Sequence, residues 1–169
     1  MSATSHASTP TPVDRETAEA LRTLARRLEH ELLAALEAAS PRHAVDRLPA
    51  LTERLDELDT VLNELAPDVT GPLLARLRLG LDRLACDLHQ RGGWEHLEKA
   101  QHDVLLARHA AGLTRINGIG PASAEVLFKR GISDPERFFH LGPEALDDID
   151  GLNAAVVARL KQMLKTDKS

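Results

Sequence analysis

Closely spaced glycines followed by a proline constrain the fold of the C-terminal third of the chain. Residues 116–121 read INGIGP. Two glycines so near each other do not continue a helix easily, because they lack Cβ atoms and favour a sharp turn or close backbone approach. Pro121 suits the first position of a new helix, Leu127 and Phe128 follow at helical spacing, and Gly131 suits the C-terminal cap. The pattern predicts a helix, a hairpin and a second helix.

A second copy of this pattern follows further along the chain. Residues 149–153 read IDGLN, which keeps the order apolar, polar, glycine, apolar and replaces only the last glycine, by Asn153. Pro143 predicts the start of a short helix before this turn, and residues 154–164 predict a longer helix after it. Between the two copies, residues 133–135 (SDP) supply a cap and a first-turn proline for another short helix. The internal repeat therefore predicts two hairpin units.

Residues 113–164 resemble the tandem helix-hairpin-helix family, in which two such hairpins pack pseudo-symmetrically. The resemblance rests on the GIGP segment at 118–121 together with Ala124 and Leu127. In that family the hairpin amides hold a DNA backbone without reading its bases, which agrees with the general affinity of helix N-termini for phosphate. The resemblance implies contacts to a nucleic-acid backbone at Gly118, Ile119, Gly120 and Ala122, with Arg115, Lys129 and Arg130 as supporting charges.

The chain also departs from the DNA-binding members of this family. Those members often carry a lysine just after the hairpin proline, where this chain has Ala122 and Ser123. In the second hairpin, Asp147, Asp148 and Asp150 stand where a phosphate would sit, so we interpret that hairpin as structural. The glycines of the first hairpin would serve a purely structural or protein-binding turn equally well. Phosphate binding and that alternative both stay open at this point.

Leucines at alternating three- and four-residue spacing mark the region upstream of the hairpins. Proline and glycine positions divide it into four predicted helices: residues 14–39, a second from about residue 48, a third beginning near residues 70–72, and a fourth over 94–111. The first three helices carry seams of Leu21, Leu24, Leu28, Leu32 and Leu36, then Leu48, Leu51, Leu55, Leu58, Leu62 and Leu65, then Leu74, Leu77, Leu81, Leu84 and Leu88, each of which is either a bundle core or a dimer surface. The inward candidates of the fourth helix are Trp94, Leu97, Val104 and Leu105. Such seams are typical of helical bundles and coiled coils.

These patterns together predict an all-α protein. Its N-terminal part is an antiparallel helical bundle or a set of coiled-coil hairpins, followed by a compact tandem helix-hairpin-helix domain. Aromatic residues make up only 2% of the chain, so the core must be built of aliphatic side chains, which suits helices. The predicted organisation is a disordered tail at 1–13, the bundle at 14–111, the tandem hairpin domain at 112–165 and a disordered tail at 166–169.

The distribution of charge separates the two predicted domains. Residues 1–112 contain thirteen Lys and Arg against eighteen Asp and Glu, whereas residues 113–169 contain eight of each. Binding to nucleic acid through bulk charge needs a basic face, and neither region is basic overall. We therefore expect the bundle not to bind DNA, and any contact made by the hairpin to be local and weak.

The sequence gives little support for catalysis. Cys86 and His89 share a helical face, but no second pair completes a zinc site. There is neither a Walker A loop nor a dinucleotide fingerprint. We predict a protein without enzymatic activity, metal or cofactor. No apolar run reaches the roughly 20 residues that a membrane span needs, and residues 1–13 do not resemble a signal peptide, so we expect a cytoplasmic protein.

Two functions follow as hypotheses. The first is an accessory protein that binds the DNA backbone weakly and independently of sequence through its first hairpin. The alternative is an interaction adaptor, in which the hairpin domain docks a partner protein. The leucine seams also offer a surface for homo-oligomerisation, which would strengthen weak binding through multivalency.

Overall fold

The computed structural model describes residues 14–65 and 67–167. Among these residues, the elements are α1 (Arg15–Leu36), α2 (Pro41–Val45), α3 (Leu48–Leu65), α4 (Pro67–Gln90), α5 (Lys99–Ala110), α6 (Pro121–Lys129), α7 (Pro135–Phe139) and α8 (Ala154–Asp167), with 3₁₀ segments at Ala111–Arg115 and Pro143–Leu146. This part of the chain contains no strand, so the all-α prediction is confirmed. The predicted tail at 1–13 lies outside the described residues, as do residues 168–169, and α8 continues to Asp167.

The first predicted helix ends earlier than predicted, and a separate short helix follows it. Asp14 caps α1, because its carboxylate accepts a hydrogen bond from the Thr17 N–H at 2.8 Å. The helix ends at Leu36 rather than at Ala39, and the Ser40 side chain caps the short helix α2. Serine before proline is a strong start signal, and here it begins a new helix instead of only ending the old one.

The N-terminal leucine seam is only partly buried. The helix α1 packs on α3 along its first turns, where its leucines are half-buried. Leu32 is 39% exposed and Leu36 is 62% exposed, whereas Ala35 is buried. Leu32 and Leu36 of the predicted stripe therefore lie outside the core, because the C-terminal part of α1 turns Ala35 toward it.

Helices α3 and α4 form an antiparallel pair. Asp59 of α3 pairs with Arg78 of α4, and nearer the junction of the two helices the Thr70 hydroxyl donates to the Leu62 carbonyl oxygen at 3.4 Å. Four predicted seam positions of α3 are buried, namely Leu48, Leu51, Leu55 and Leu58. The helix α4 begins at Pro67, earlier than the predicted start near residues 70–72, and Pro72 lies inside it.

The inward face of the predicted fourth helix is shifted by one position. Turns occupy residues 91–97, and α5 begins after Glu98, whose side chain forms a capping box with Gln101. Val104 is 69% exposed, while Leu105 and Leu106 are buried, so the inward placement of Val104 is wrong. Leu105 and Leu106 lie on the side of α5 that packs into the core shared with α6.

An offset of 33 residues relates the two halves of the hairpin domain, as seen in Gly118 and Gly151. Both of these glycines have positive φ, +91° and +97°. The same offset pairs buried apolar residues, namely Leu113 with Leu146, Ile116 with Ile149, and Leu127 with Leu160. The repeat in the sequence is therefore a repeat in the packing.

A single apolar cluster joins the bundle to the hairpin domain. The Trp94 and Phe128 ring centroids lie 5.7 Å apart, and the Cys86 thiol donates to the Phe128 carbonyl oxygen at 3.4 Å. Burial raises the pKa of the Cys86 thiol to about 11, as expected for a small core residue. Core residues of α4 and α5 thus pack directly on α6, and a domain boundary at Gly112 stays a prediction.

Candidate nucleic-acid interface

The first hairpin is a tight turn closed by its own backbone. The Ile119 N–H donates to the Ile116 carbonyl oxygen at 3.0 Å, and Gly118 occupies the third position of the turn with φ +91°. A type II turn requires positive φ at that position, which explains the glycine. The Ile119 side chain is buried, so this residue anchors the hairpin and its amide is already used within the turn.

The second glycine of the hairpin has a different role. Gly120 has φ −87° and ψ 174° and is the N-cap of α6, so its backbone is extended rather than left-handed. Gly120 needs no positive φ, because the turn is already completed at Gly118. A Cβ atom placed on Gly120 would meet nothing within 4 Å. The space in front of this residue is therefore open to an approaching group.

Open backbone donors surround that space. The N–H groups of Gly118, Gly120 and Ala122 have no hydrogen-bond acceptor among the described residues. Gly120 and Ala122 belong to the N-terminal end of α6, where the helix dipole favours negative charge, and Pro121 between them has no N–H to satisfy. This arrangement suits an oxyanion such as a phosphate.

A cation that the sequence analysis did not single out lies beside this turn. Arg159, from helix α8, donates from Nη2 to the Gly118 carbonyl oxygen at 3.0 Å. Its side chain packs so closely that a Cβ atom on Gly118 would lie 2.6 Å from Nε. The guanidinium has five N–H donors and keeps others available for a ligand. The 33-residue offset could have drawn attention to Arg159, because it matches Val126 of α6.

The structure brings only one of the three predicted supporting cations near the hairpin. Arg115 is exposed at the end of the 3₁₀ segment that leads into the turn. Lys129 and Arg130 lie at the other end of α6, about 12 Å along the helix axis from Pro121. Arg130 also pairs with Asp150, with Nη2 to Oδ2 at 3.2 Å. The structure therefore groups Arg115 and Arg159, rather than Lys129 and Arg130, with the hairpin amides.

The second hairpin has a positive-φ glycine at the matching position and the opposite chemistry around it. Asn153 matches Gly120, and its side-chain oxygen accepts a hydrogen bond from the Ala155 N–H at 2.8 Å. The amide end of α8 is thus capped by the chain itself. Where Arg159 packs on Gly118, the methyl groups of Val126 pack on Gly151, with 3.4 Å between Val126 Cγ2 and a Cβ built there. These contacts agree with the interpretation of the second hairpin as structural.

The acidic residues of the second hairpin face solvent. Asp147 pairs with Lys161, and Asp150 with Arg130, while Asp148 is exposed. These carboxylates repel a phosphate at this hairpin.

Comparison with known proteins identifies the C-terminal third of the chain. Residues 111–166 match the family model of the SAM-like helix-hairpin-helix tandem, and this part of the chain is a tandem helix-hairpin-helix domain. The family match does not include residues 1–110. No curated protein and no solved structure matches the chain. The family is consistent with nucleic-acid binding or with protein interaction.

Two searches of the described residues concern other classes of site. None of the helices in residues 14–65 and 67–167 is both long enough and apolar enough to span a membrane. Within the same residues, no three His, Cys, Asp or Glu side chains are grouped so that they could hold a metal ion.

Proposed function

We propose that the protein binds the nucleic-acid backbone, independently of sequence and without catalysis, through its first hairpin. The observation that carries the proposal is the open set of N–H donors at Gly118, Gly120 and Ala122 beside the Arg159 guanidinium. Backbone amides at a helix N-terminus and a guanidinium are both good partners for phosphate.

The comparison of the two hairpins supports this proposal. Asn153 fills the end of α8 with its own side chain, whereas Gly120 leaves the end of α6 open. Arg159 places a cation at the first hairpin, whereas Val126 places methyl groups at the second. The two differences act in the same direction, since each makes the first hairpin the better phosphate site.

The expected binding is weak. One hairpin contacts one or two phosphates, which corresponds to non-specific binding with Kd on the order of 10⁻⁴ M at physiological salt. The chain has a formal net charge of −5, so there is little long-range attraction to add. Useful affinity requires a second site, self-association or a partner protein.

The test is to give the first hairpin the cap of the second. Gly120→Asn places an N-cap side chain over the amides of α6, and its Cβ enters open space, so the fold should keep or gain stability. We expect binding to short DNA at low salt to fall at least several-fold, measured by fluorescence anisotropy with thermal melting alongside. The matched control, Asn153→Gly, opens the second hairpin and should leave that binding intact.

The outcomes separate the hypotheses. If Gly120→Asn melts like the wild type and binds DNA equally well, the amides are not the site. If the folded wild type binds neither DNA nor RNA at low salt, the nucleic-acid proposal fails. In that case the adaptor function becomes the better one, and the observation that favours it is the exposed acidic turn around Asp148, which suits a basic partner. Labelled DNA incubated with the protein should stay intact, and its cleavage would contradict a non-catalytic role.

A further inference from the structure

Four rings form a cluster where the bundle meets the hairpin domain. They belong to His89 of α4, Trp94 of the turn that follows, His102 of α5 and Phe128 of α6. The His89 ring meets the other three edge to face, with centroid distances of 5.1 Å to Trp94, 5.9 Å to His102 and 6.2 Å to Phe128. We call this set the ring cluster. Such edge contacts add to the stability that burial provides.

His89 suits this position as a neutral ring. Its side chain is half-buried, and its Nδ1 is buried without a hydrogen-bond partner among the described residues. In a neutral imidazole with the proton on Nε2, Nδ1 is an acceptor that lacks a donor. Protonation would place a charged N–H at the same atom with no acceptor, which costs much more free energy. The geometry therefore favours the neutral form.

The charges around His89 act in the same direction. Two cationic groups act on it from the helices packed against it, namely protonated His102 on α5 and Lys129 on α6. No carboxylate in the described part of the chain lies within ion-pair distance of His89, whereas Nδ1 of His102 has Oδ1 of Asp103 at 3.7 Å. Burial, and then the charges of His102 and Lys129, lower the pKa of His89 below its ordinary value of 6.5.

The ring cluster is also part of a contact between helices. Phe128 is fully buried, and its helix α6 packs on both α4 and α5. Trp94 is 3% exposed, so the rings leave little room for water around a charge at the buried edge of His89. Hydration of that charge requires the rings to separate, because an unpaired buried charge is costly. Separation of His89 from Phe128 moves α6 away from α4.

We propose that His89 is an acid-sensitive contact between the bundle and the hairpin domain. The neutral ring holds α6 on α4 and α5, and a proton on the ring loosens that packing. Histidine suits this role, because it is the side chain whose charge ordinarily changes between pH 5 and 8. The inference is independent of nucleic-acid binding.

The direction of the pH dependence follows from proton linkage. In the loosened state His89 binds a proton with its ordinary pKa of 6.5, and in the packed state its pKa is lower. The packed state is therefore fully favoured above pH 6.5 and becomes less favoured as the pH falls below that value. From pH 7.5 to pH 5.5, the ratio of loosened to packed molecules should rise by as much as about tenfold.

The experiment is native-state hydrogen exchange of the full chain, followed by NMR at pH 7.5 and pH 5.5. The protection factor of an amide divides its exchange rate in an unstructured chain by its observed rate, so the pH dependence of the exchange chemistry cancels, and openings too rare to see directly are still measured. We expect the protection factors of α6 to fall about tenfold between the two pH values. Those of α3, which does not contribute to the ring cluster, should change less than twofold.

Two variants isolate the contribution of His89. His89→Phe keeps a ring beside Trp94 and removes the titrating group, so α6 should be protected equally at both pH values. His89→Gln also removes the titrating group, in a smaller side chain, and should abolish the same pH dependence even where its overall stability is lower. The matched control is His30→Gln, because His30 is exposed on α1 and lies outside the ring cluster. It should keep the pH dependence of the wild type.

Three outcomes would overturn the proposal. The first is a fall of less than about twofold in the protection of α6 in the wild type. The second is an equal fall in α3 and α6, since the acid-sensitive step would then be unfolding of the whole chain and not the loosening of one contact. The third is a pH dependence that persists in both His89→Phe and His89→Gln, which would assign it to another histidine.

Discussion

Asp134 connects the two parts of the molecule, and its removal offers a quantitative test of the fold. It is 2% exposed, it caps α7 through the Arg137 N–H, and it holds Arg83 of α4 in a bidentate ion pair. Burial by itself would raise the pKa of Asp134, but hydrogen bonds from Arg83, Ser133 and the Arg137 N–H outweigh it and lower that pKa to about 2. We expect Asp134→Asn to destabilise the protein, because Asn keeps an acceptor for the cap but loses the charge that Arg83 requires.

The size of the effect follows from the pKa difference. The ordinary value is 3.8 and the folded value about 2, a gap of nearly two units. At about 1.4 kcal/mol per unit, the ionised carboxylate contributes roughly 2–3 kcal/mol to the free energy of unfolding near pH 7. That contribution is complete well above pH 3.8 and is lost as the pH falls through the folded pKa of about 2. The difference in the free energy of unfolding between wild type and Asp134→Asn should therefore fall to about half its size near pH 3.

Urea denaturation at pH 7, 4 and 3 measures this difference in unfolding free energy and its pH dependence. The matched control is Asp150→Asn, because the Asp150 side chain is 99% exposed and its pairing with Arg130 should contribute little. A difference between wild type and Asp134→Asn below about 0.5 kcal/mol at pH 7 would refute the reasoning. A difference that stays constant from pH 7 to pH 3 would also refute it, since the loss would then come from packing and not from charge.

Two further predictions concern the core and the hairpin. Leu58→Asp puts an unpaired charge at a position that is 8% exposed and should lower the free energy of unfolding by several kcal/mol. The control Leu33→Asp, at a position that is 47% exposed, should be tolerated. Thermal melting measures both variants, and equal melting temperatures would show that the α3 seam is not buried. Arg159→Val gives the first hairpin the residue type that Val126 provides at the second, so the fold should persist. The salt dependence of DNA binding should fall by about one phosphate contact. An unchanged slope of affinity against salt concentration in anisotropy titrations would contradict the role of Arg159.

The sequence predicted the hairpin domain well because its local signals and its packing agree. Pro121 begins a helix as predicted, Gly118 takes the positive φ that the turn needs, and the residues from both hairpins bury the same apolar positions. The leucine seams were less informative. Leu36 and Val104 are exposed although their spacing suggested burial, because periodicity shows that a helix has an apolar face but not which neighbour covers it.

The charge support of the site could not be predicted from spacing along one helix. Lys129 and Arg130 are near the hairpin in sequence, but they lie at the C-terminal end of α6, about two turns away from the hairpin. Arg159 is far away in sequence and close in space, since its side chain reaches from α8 to the Gly118 carbonyl oxygen. Only the tertiary arrangement shows this contact.

The repeat shows how one backbone can serve two purposes. Gly118 and Gly151 share a positive φ, which glycine adopts without strain. The surrounding side chains differ, and they differ at the positions on which the proposed phosphate contact depends. Gly120 leaves amides open where Asn153 caps them, and Arg159 brings a guanidinium where Val126 brings methyl groups. In the proposed function, these two differences separate the phosphate-binding hairpin from the structural one, and the exposed carboxylates of the second hairpin act in the same direction.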